Sequence, residues 1–268
     1  MKHVLTIAGS DTCGGAGIQA DLKTFSAHGT YGMSVITAVT VQNTQGVFGC
    51  QDITPEIIGA QIDAIFDDID VAAVKIGMVS QIDTINTIAD RLEKYKPEKV
   101  VIDPVMVSKH GFDLLQPEAK DALIKRLIPL AYVLTPNLPE AEVITGMKID
   151  NIEAMEKAAR KIHEMGAKNV FVKGGHLEND ATDILFDGEK ITMFKSERIH
   201  TKNTHGTGCT ISSAIAANLA NGMTVEEAIS SAKKYITVAI EHSLDIGKGV
   251  GPTNHFYALF EKAGLKYE

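Results

Sequence analysis

Short β-branched runs alternate with stretches of helical periodicity along nearly all of this chain, and that alternation sharply limits the folds open to it. "HVLTIAG" is followed by a helix-like segment from Ala16 to His28, then by "SVITAVTVQ". The amphipathic "PEIIGAQIDAIFDDI" leads to "AAVKIGM", and "DTINTIADRLEKY" leads to "KVVIDPV". A helix near Glu118 to Leu127 and the run "YVLTPN" continue the rhythm. Between Glu153 and Met165, the residues Met155, Ala158, Ala159, Ile162 and Met165 fall on one helical face, and "NVFVKGG" follows as a buried-type strand. Strands separated by helices of this length indicate βαβ units and a mainly parallel sheet covered on both faces. The run "TDILFDGEKITMFKSERI" departs from the rhythm, because "DG" between two strand-like segments predicts a β-hairpin, antiparallel at one edge. Helices over about Gly208 to Asn221 and Thr224 to His242 close the pattern. With no repeat and no low-complexity linker, one domain over residues 1–268 is expected.

Hydrophobic residues at 44% and charged residues at 22% give this chain of 268 residues ample material for a core without disulfide staples. Its three cysteines, Cys13, Cys50 and Cys209, are odd in number and far apart, which points to a reducing, cytoplasmic setting. The N-terminal "MKHVLTIAGSD" has too short an apolar run for a signal peptide, and no stretch reaches the ~20 apolar residues of a membrane span. A formal net charge of −8 argues against nucleic acid and anionic membrane as partners. Anionic small molecules stay open, since glycine-rich loops bind phosphate without a basic surface.

Ligands of open α/β sheets sit beyond the carboxyl ends of the strands. Those ends carry Gly9-Ser10-Asp11 with Gly14, Gly15 and Gly17, then Gln42-Asn43-Thr44, Gly77-Met78, Asp103-Pro104-Val105, Pro136-Asn137 and Lys173-Gly174-Gly175-His176. The last is "TKNTHGTGCT" (201–210). Polar and glycine residues at so many strand ends are what one shared cleft requires.

"GSDTCGGAG" matches neither the dinucleotide fingerprint nor the P-loop. Its simpler reading is a tight turn into a helix, and Asp21, one helical turn on, is either a ligand-facing carboxylate or a solvated or capping acid. In "HGTGCT" the glycines let backbone N–H groups converge at a helix mouth, whose partial positive charge suits a phosphate in transfer. The plainer alternative is a glycine turn with a buried cysteine packed as a small hydrophobe. "TPNLPEAE" sets Asn137 and Glu140 three apart at a helix start, fit either for capping or for a magnesium site that borrows carboxylates. Asp103 is a further candidate carboxylate, and Lys173 could neutralise phosphate.

Taken in order, "IAGSD…GGAGIQADLKTF", "VQNT", "KIGM", "IDPVM", "TPNLPEA", "VKGGH" and "TKNTHGTGCT" resemble the ribokinase superfamily of ATP-dependent kinases. Within it they look like the hydroxymethylpyrimidine and phosphomethylpyrimidine kinases of thiamine biosynthesis, over about Leu5 to Phe256. The resemblance implies a three-layer αβα fold with a mainly parallel central sheet and an antiparallel edge hairpin, usually in a homodimer. It implies ATP and Mg²⁺, and two phosphorylations: of 4-amino-5-hydroxymethyl-2-methylpyrimidine, then of its monophosphate to the diphosphate. Carried onto this chain, it puts the pyrimidine pocket at Gly9, Asp21, Gln42, Met78 and Val105. The anion hole falls at Gly206, Thr207 and Gly208, with Cys209 as catalytic base; the helix dipole should favour its thiolate. Nucleotide contacts are expected from Thr201, His205, Thr207 and Lys173, metal organisation from Asn137, Glu140 and Asp103, and a mobile flap from "MVSKHGFDLL". Cys13 stands where the family commonly has serine.

The nearest rival is a pyridoxal kinase, although that branch should differ at "VQNT" and read "HGAGC" for "HGTGC". A sugar kinase would carry aspartate at position 209. A binding protein that kept the fold would be expected to lose catalytic groups first.

Overall fold

A computed structural model describes residues 1–106, 115–175 and 182–265. Its centre is a nine-stranded sheet in the order β3-β2-β1-β4-β5-β6-β7-β8-β9. The strands are β1 (His3–Ser10), β2 (Tyr31–Asn43), β3 (Gly46–Asp52), β4 (Ala73–Ile76), β5 (Val100–Ile102), β6 (Val133–Leu134), β7 (Val170–Val172), β8 (Asp183–Phe186) and β9 (Ile191–Phe194). From β2 through β7 the pairing is parallel, as the strand–helix alternation predicts. The hairpin expected at "DG" is present as β8–β9, which joins the sheet antiparallel to β7. The opposite edge is antiparallel too, because β2 turns back into β3. The sequence reading contains no β3: "GVFGCQD" alternates weakly in burial and carries two glycines, so it has little strand signal.

Period-two alternation sends neighbouring residues of each strand to opposite faces. Leu5, Val74, Ile102, Leu134 and Val172 enter one core, together with the apolar sides of α2 (Pro55–Phe66), α3 (Ile82–Tyr95) and α6 (Ile152–Glu164). Val4, Ala73, Val101, Val133 and Phe171 enter the other, beneath α1 (Gly17–Ala27), α7 (Thr207–Ala220) and α8 (Val225–Glu241). Helix α7 is alanine-rich and buried along nearly all its length, which lets it lie close on the sheet. The helix expected near Glu118 to Leu127 is irregular: a 3₁₀ turn at Pro117–Ala119, one α turn in α4 (Lys120–Ala122), a π segment at Leu123–Leu127 and a 3₁₀ turn at Ile128–Leu130. Pro129 ends it, since it offers no N–H to continue the ladder. Two short helices, α5 (Leu138–Thr145) and α9 (Tyr257–Lys262), complete the described elements. Among the described residues, no helix is long and apolar enough to cross a membrane. The expected flap falls almost wholly at 107–114, outside the described residues, as does His176.

Candidate active site

A cavity of about 850 Å³ opens at the carboxyl ends of the parallel strands, where the chain order changes direction around β1. Its lining takes in Gly9, Gln42, Met78 and Val105, the polar side chains of Asp103, Asn137, Glu140 and Lys173, and the residues from Gly206 to Cys209. Arg198, Ile236 and Ile240 line it as well.

Two glycine loops meet backbone to backbone to form its wall. Gly206 has φ +79°, and a Cβ there would lie 1.7 Å from the Gly15 carbonyl oxygen, so only glycine fits the junction. Asp11 ties the first loop together. Its carboxylate accepts the backbone amides of Cys13 (3.0 Å), Gly15 (2.9 Å) and Ala16 (2.8 Å). His205 Nε2 from the second loop lies 2.8 Å from the same carboxylate. Burial alone would raise Asp11, but the His205 hydrogen bond and charge, with the Ala16 amide, hold it at about 2. Burial opposes charge on His205, yet its bonds to Asp11 and Cys13 hold the imidazole up at about 9. At neutral pH the two therefore form an imidazolium–carboxylate pair. The amide nitrogen of Gln42 stands 3.3 Å from the same His205 nitrogen, and Thr40 Oγ1 lies 3.4 Å from Gln42 Oε1.

Gly206 caps α7 with no side-chain bond, and the first full helical bond runs from Thr210 N to the Gly206 carbonyl at 2.9 Å. The amides of Gly208 and Cys209 precede that bond and face an anion-attracting helix end. Gly208 lies next to charged side chains of the cavity: a Cβ on it would sit 3.4 Å from Asp103 Oδ2 and 3.6 Å from Lys173 Nζ. Lys173 pairs with Asp103 at 2.8 Å, and Thr135 Oγ1 donates to Asp103 at 3.1 Å. Asn137 and Glu140 form a reciprocal capping box at the start of α5, each side chain bound to the other's backbone amide at 2.8 Å. Capping thus accounts for part of both side chains. Burial pushes the Glu140 carboxyl up to about 7, the Asp103 charge adds to this, and Lys173 opposes it. Two carboxylates share one lysine here, and hard oxygen donors short of positive charge suit a divalent cation such as Mg²⁺.

Cys209 does not behave as the helix dipole suggests. Burial pushes its thiol up to about 11, with Asp21 and Asp103 adding to the shift against Lys75 and the Gly17 amide. It is a thiol at neutral pH, because desolvation and two nearby carboxylates outweigh the helix end.

Asp21, expected in the pyrimidine pocket, is absent from the cavity lining. It is fully buried, with Lys75 Nζ 2.9 Å from both carboxylate oxygens and hydroxyl donors in Thr6 (2.6 Å) and Ser213 (2.5 Å). Its lone pairs are occupied, which leaves it to support the site from below. Thr201 also lies off the cavity, 3.3 Å from Ser243 Oγ and accepting the Asn203 amide. The other expected site residues, Gly9, Gln42, Met78, Asp103, Val105, Asn137, Glu140, Lys173, His205, Gly206, Thr207, Gly208 and Cys209, all line it.

The sequence reading assigns no role to Asp11, Lys75 or Lys233. Asp11 carries a usable signal, an aspartate just before a run of exposed loop amides. Lys75 shows only as a lysine inside the apolar run "AAVKIGM". Lys233 lines the cavity and binds Asp183 Oδ2 at 2.5 Å and Ser196 Oγ at 3.1 Å.

The family model described as phosphomethylpyrimidine kinase matches residues 11–254. A hydroxymethylpyrimidine/phosphomethylpyrimidine kinase of Rhizobium meliloti is 55% identical over 257 residues, covering 94% of this chain and 96% of that protein. A thiamine biosynthesis bifunctional protein of Geobacter sulfurreducens is 54% identical over 256 residues, 95% of this chain; the chain spans about half (52%) of that longer protein. Among solved structures, phosphomethylpyrimidine kinase from Clostridium difficile superimposes with a TM-score of 0.82 at 55% identity, over 90% of this chain and 100% of that one. An ADP complex of Bacillus subtilis pyridoxal kinase gives a TM-score of 0.90 at 44% identity, over 97% and 99%.

Proposed function

The chain belongs to the phosphomethylpyrimidine kinase family, and from that premise we propose that it phosphorylates 4-amino-5-hydroxymethyl-2-methylpyrimidine and then its monophosphate, using ATP. One observation carries the reading: Gln42, the glycine-lined start of α7, Asp103, Glu140 and Lys173 all line the same cavity. Gln42 offers an amide donor and acceptor for an aminopyrimidine edge, with Met78 and Val105 as apolar walls. The amides at Gly208 and Cys209 face where charge grows on the transferring phosphoryl group. Asp103 and Glu140, braced by Asn137, would hold Mg²⁺, which when bound neutralises charge on ATP. Thr207, His205 and Lys173 are the nucleotide-facing polar groups of this reading, and a single cytoplasmic domain that pairs as a homodimer is part of it.

In the first step the substrate hydroxyl oxygen bonds to the γ-phosphorus, the bond to ADP breaks, and the hydroxyl proton must leave. Such transfer passes through a loose transition state that asks little of a base until late. In this reading Cys209 accepts that proton, and does so only as its thiolate minority, since burial raises the thiol to about 11. Its help therefore grows with pH. A phosphate monoester is already largely ionised near neutral pH, so the second step needs it less. In Cys209→Ala the first step should fall by roughly 10²-fold or more and lose its upward slope with pH, while the second changes far less. Equal losses in both steps without pH dependence would leave Cys209 as packing alone.

The likeness to a pyridoxal kinase across 97% of the chain keeps one rival reading in play. ADP release measured in parallel with hydroxymethylpyrimidine, its monophosphate and pyridoxal decides between them. Turnover of pyridoxal alone would replace the pyrimidine reading, and turnover of none would favour a binding protein.

A further inference from the structure

Cys13, Asp11 and His205 bring a thiol sulfur, a carboxylate oxygen and an imidazole nitrogen within 4.8 Å of one another, and Asp11 and His205 line the same cavity as Asp103 and Glu140. We propose that these three side chains form a second cation site, selective for a borderline-soft ion such as Zn²⁺. Thiolate and imidazole are the donors zinc prefers, whereas the oxygen donors of Asp103 and Glu140 suit a hard cation.

The geometry is close to what the ion needs. Cys13 Sγ lies 3.4 Å and His205 Nε2 lies 2.8 Å from the same Asp11 oxygen. Usual zinc bond lengths give tetrahedral ligand-to-ligand edges of ~3.3–3.6 Å. The sulfur edge fits as it stands. The nitrogen edge must open by roughly half an ångström, as happens when an ion replaces the bridging proton. Binding would release the Cys13 thiol proton and the His205 Nε2 proton to solvent, so charge balances with one added divalent ion.

All three donors are held in place beforehand. The Asp11 carboxylate is fixed by the Cys13 amide on Oδ1 and by the Gly15 and Ala16 amides on Oδ2, and an ion that takes a lone pair of Oδ2 loosens one of the last two. Cys13 sits in the turn closed by Gly14 N to Asp11 O at 2.9 Å. The His205 backbone is tied on both sides, its amide to Gly251 O at 3.0 Å and its carbonyl to the Thr253 amide at 3.4 Å. Its ring lies against Gly15, where a Cβ would meet Cδ2 at 2.5 Å. Asp11 and His205 both line the cavity, which leaves the fourth coordination position on the open side, beside Gln42. Three protein ligands with one open position is the arrangement of a reactive or exchangeable zinc site rather than a closed structural one.

The test is a Co²⁺ titration of the full chain without nucleotide or substrate, so that it stands apart from the kinase reading. One equivalent should produce the ultraviolet thiolate-to-cobalt absorption, and Zn²⁺ should abolish it. Cys13→Ser should lose the band and bind Zn²⁺ at least tenfold more weakly; Cys13 is a half-buried loop residue and serine is close to it in size, so a melting curve like the parent's is expected beside the lost band. Cys50→Ser, which alters an exposed thiol elsewhere, should keep the band. No band at one equivalent, or a band that survives Cys13→Ser, overturns the site.

Discussion

Replacing Lys75 by methionine should cost far more stability than its place in a short strand suggests. Both partners of the Lys75–Asp21 pair are 0% exposed, and the ammonium bonds both carboxylate oxygens at 2.9 Å. Removing it leaves a buried carboxylate with only the Thr6 and Ser213 hydroxyls as donors. Breaking such a pair typically costs about 3–5 kcal/mol. At roughly 2–4 °C per kcal/mol for a chain near this size, the melting temperature should drop by about 6–20 °C. Melting followed by circular dichroism at pH 7 measures the loss. Lys75→Met combined with Asp21→Asn, which removes the stranded charge, should recover at least half the loss. A single variant within about 1 kcal/mol of the parent at pH 7 would refute the reasoning.

Gly206→Ala should destabilise the fold, because its Cβ would fall 1.7 Å from Gly15 O, whereas Gly208→Ala should fold normally, with contacts no closer than 3.4 Å, yet lose both phosphorylations. Thermal melting read beside turnover separates the two, and an active Gly208→Ala would remove the anion hole from the mechanism. Glu140→Gln preserves the reach-back bond of the capping box but removes the charge, so turnover should fall across a magnesium titration while calorimetric pyrimidine binding stays unchanged; unaltered turnover would leave Glu140 as a cap. Gln42→Met should lose about tenfold in preference for hydroxymethylpyrimidine over pyridoxal, the scale of one buried amide left partly unpaired. The ratio of kcat/KM values for the two substrates is the readout, and an unchanged ratio removes Gln42 from recognition.

The parallel sheet is legible in the sequence because its central strands bury both faces, which leaves runs such as "VVI" and "VFV" between amphipathic helices. Edge elements are less so. β3 is half exposed, and the segment 117–130 mixes three helical geometries, since packing rather than propensity decides it. At the site, glycine spacing locates the wall of the cavity, and strand ends locate Gln42, Asp103 and Lys173. Burial and partner choice are what local pattern cannot supply. Asp21 is turned inward by Lys75, a lysine that the chain hides in β4. Likewise, the reversal at Cys209 depends on Asp21 and Asp103, each more than a hundred residues away along the chain.

Those distances in sequence carry a consequence for synthesis. Asp11 meets His205 across 194 positions, Asp21 meets Ser213 across 192, and Thr44 meets Gly249 across 205. A ribosome releases the first glycine loop, β1 and β2 long before the segments that close over them, so the nascent chain holds an Asp11 still lacking His205 and a lysine–aspartate pair still lacking Ser213. Because contacts this remote close late and slowly, the reaction chamber is among the last features to form as the polypeptide emerges. Chains stopped short of residue 205 would carry most of the sheet but none of the second wall, so translational arrest leaves no partly active enzyme behind.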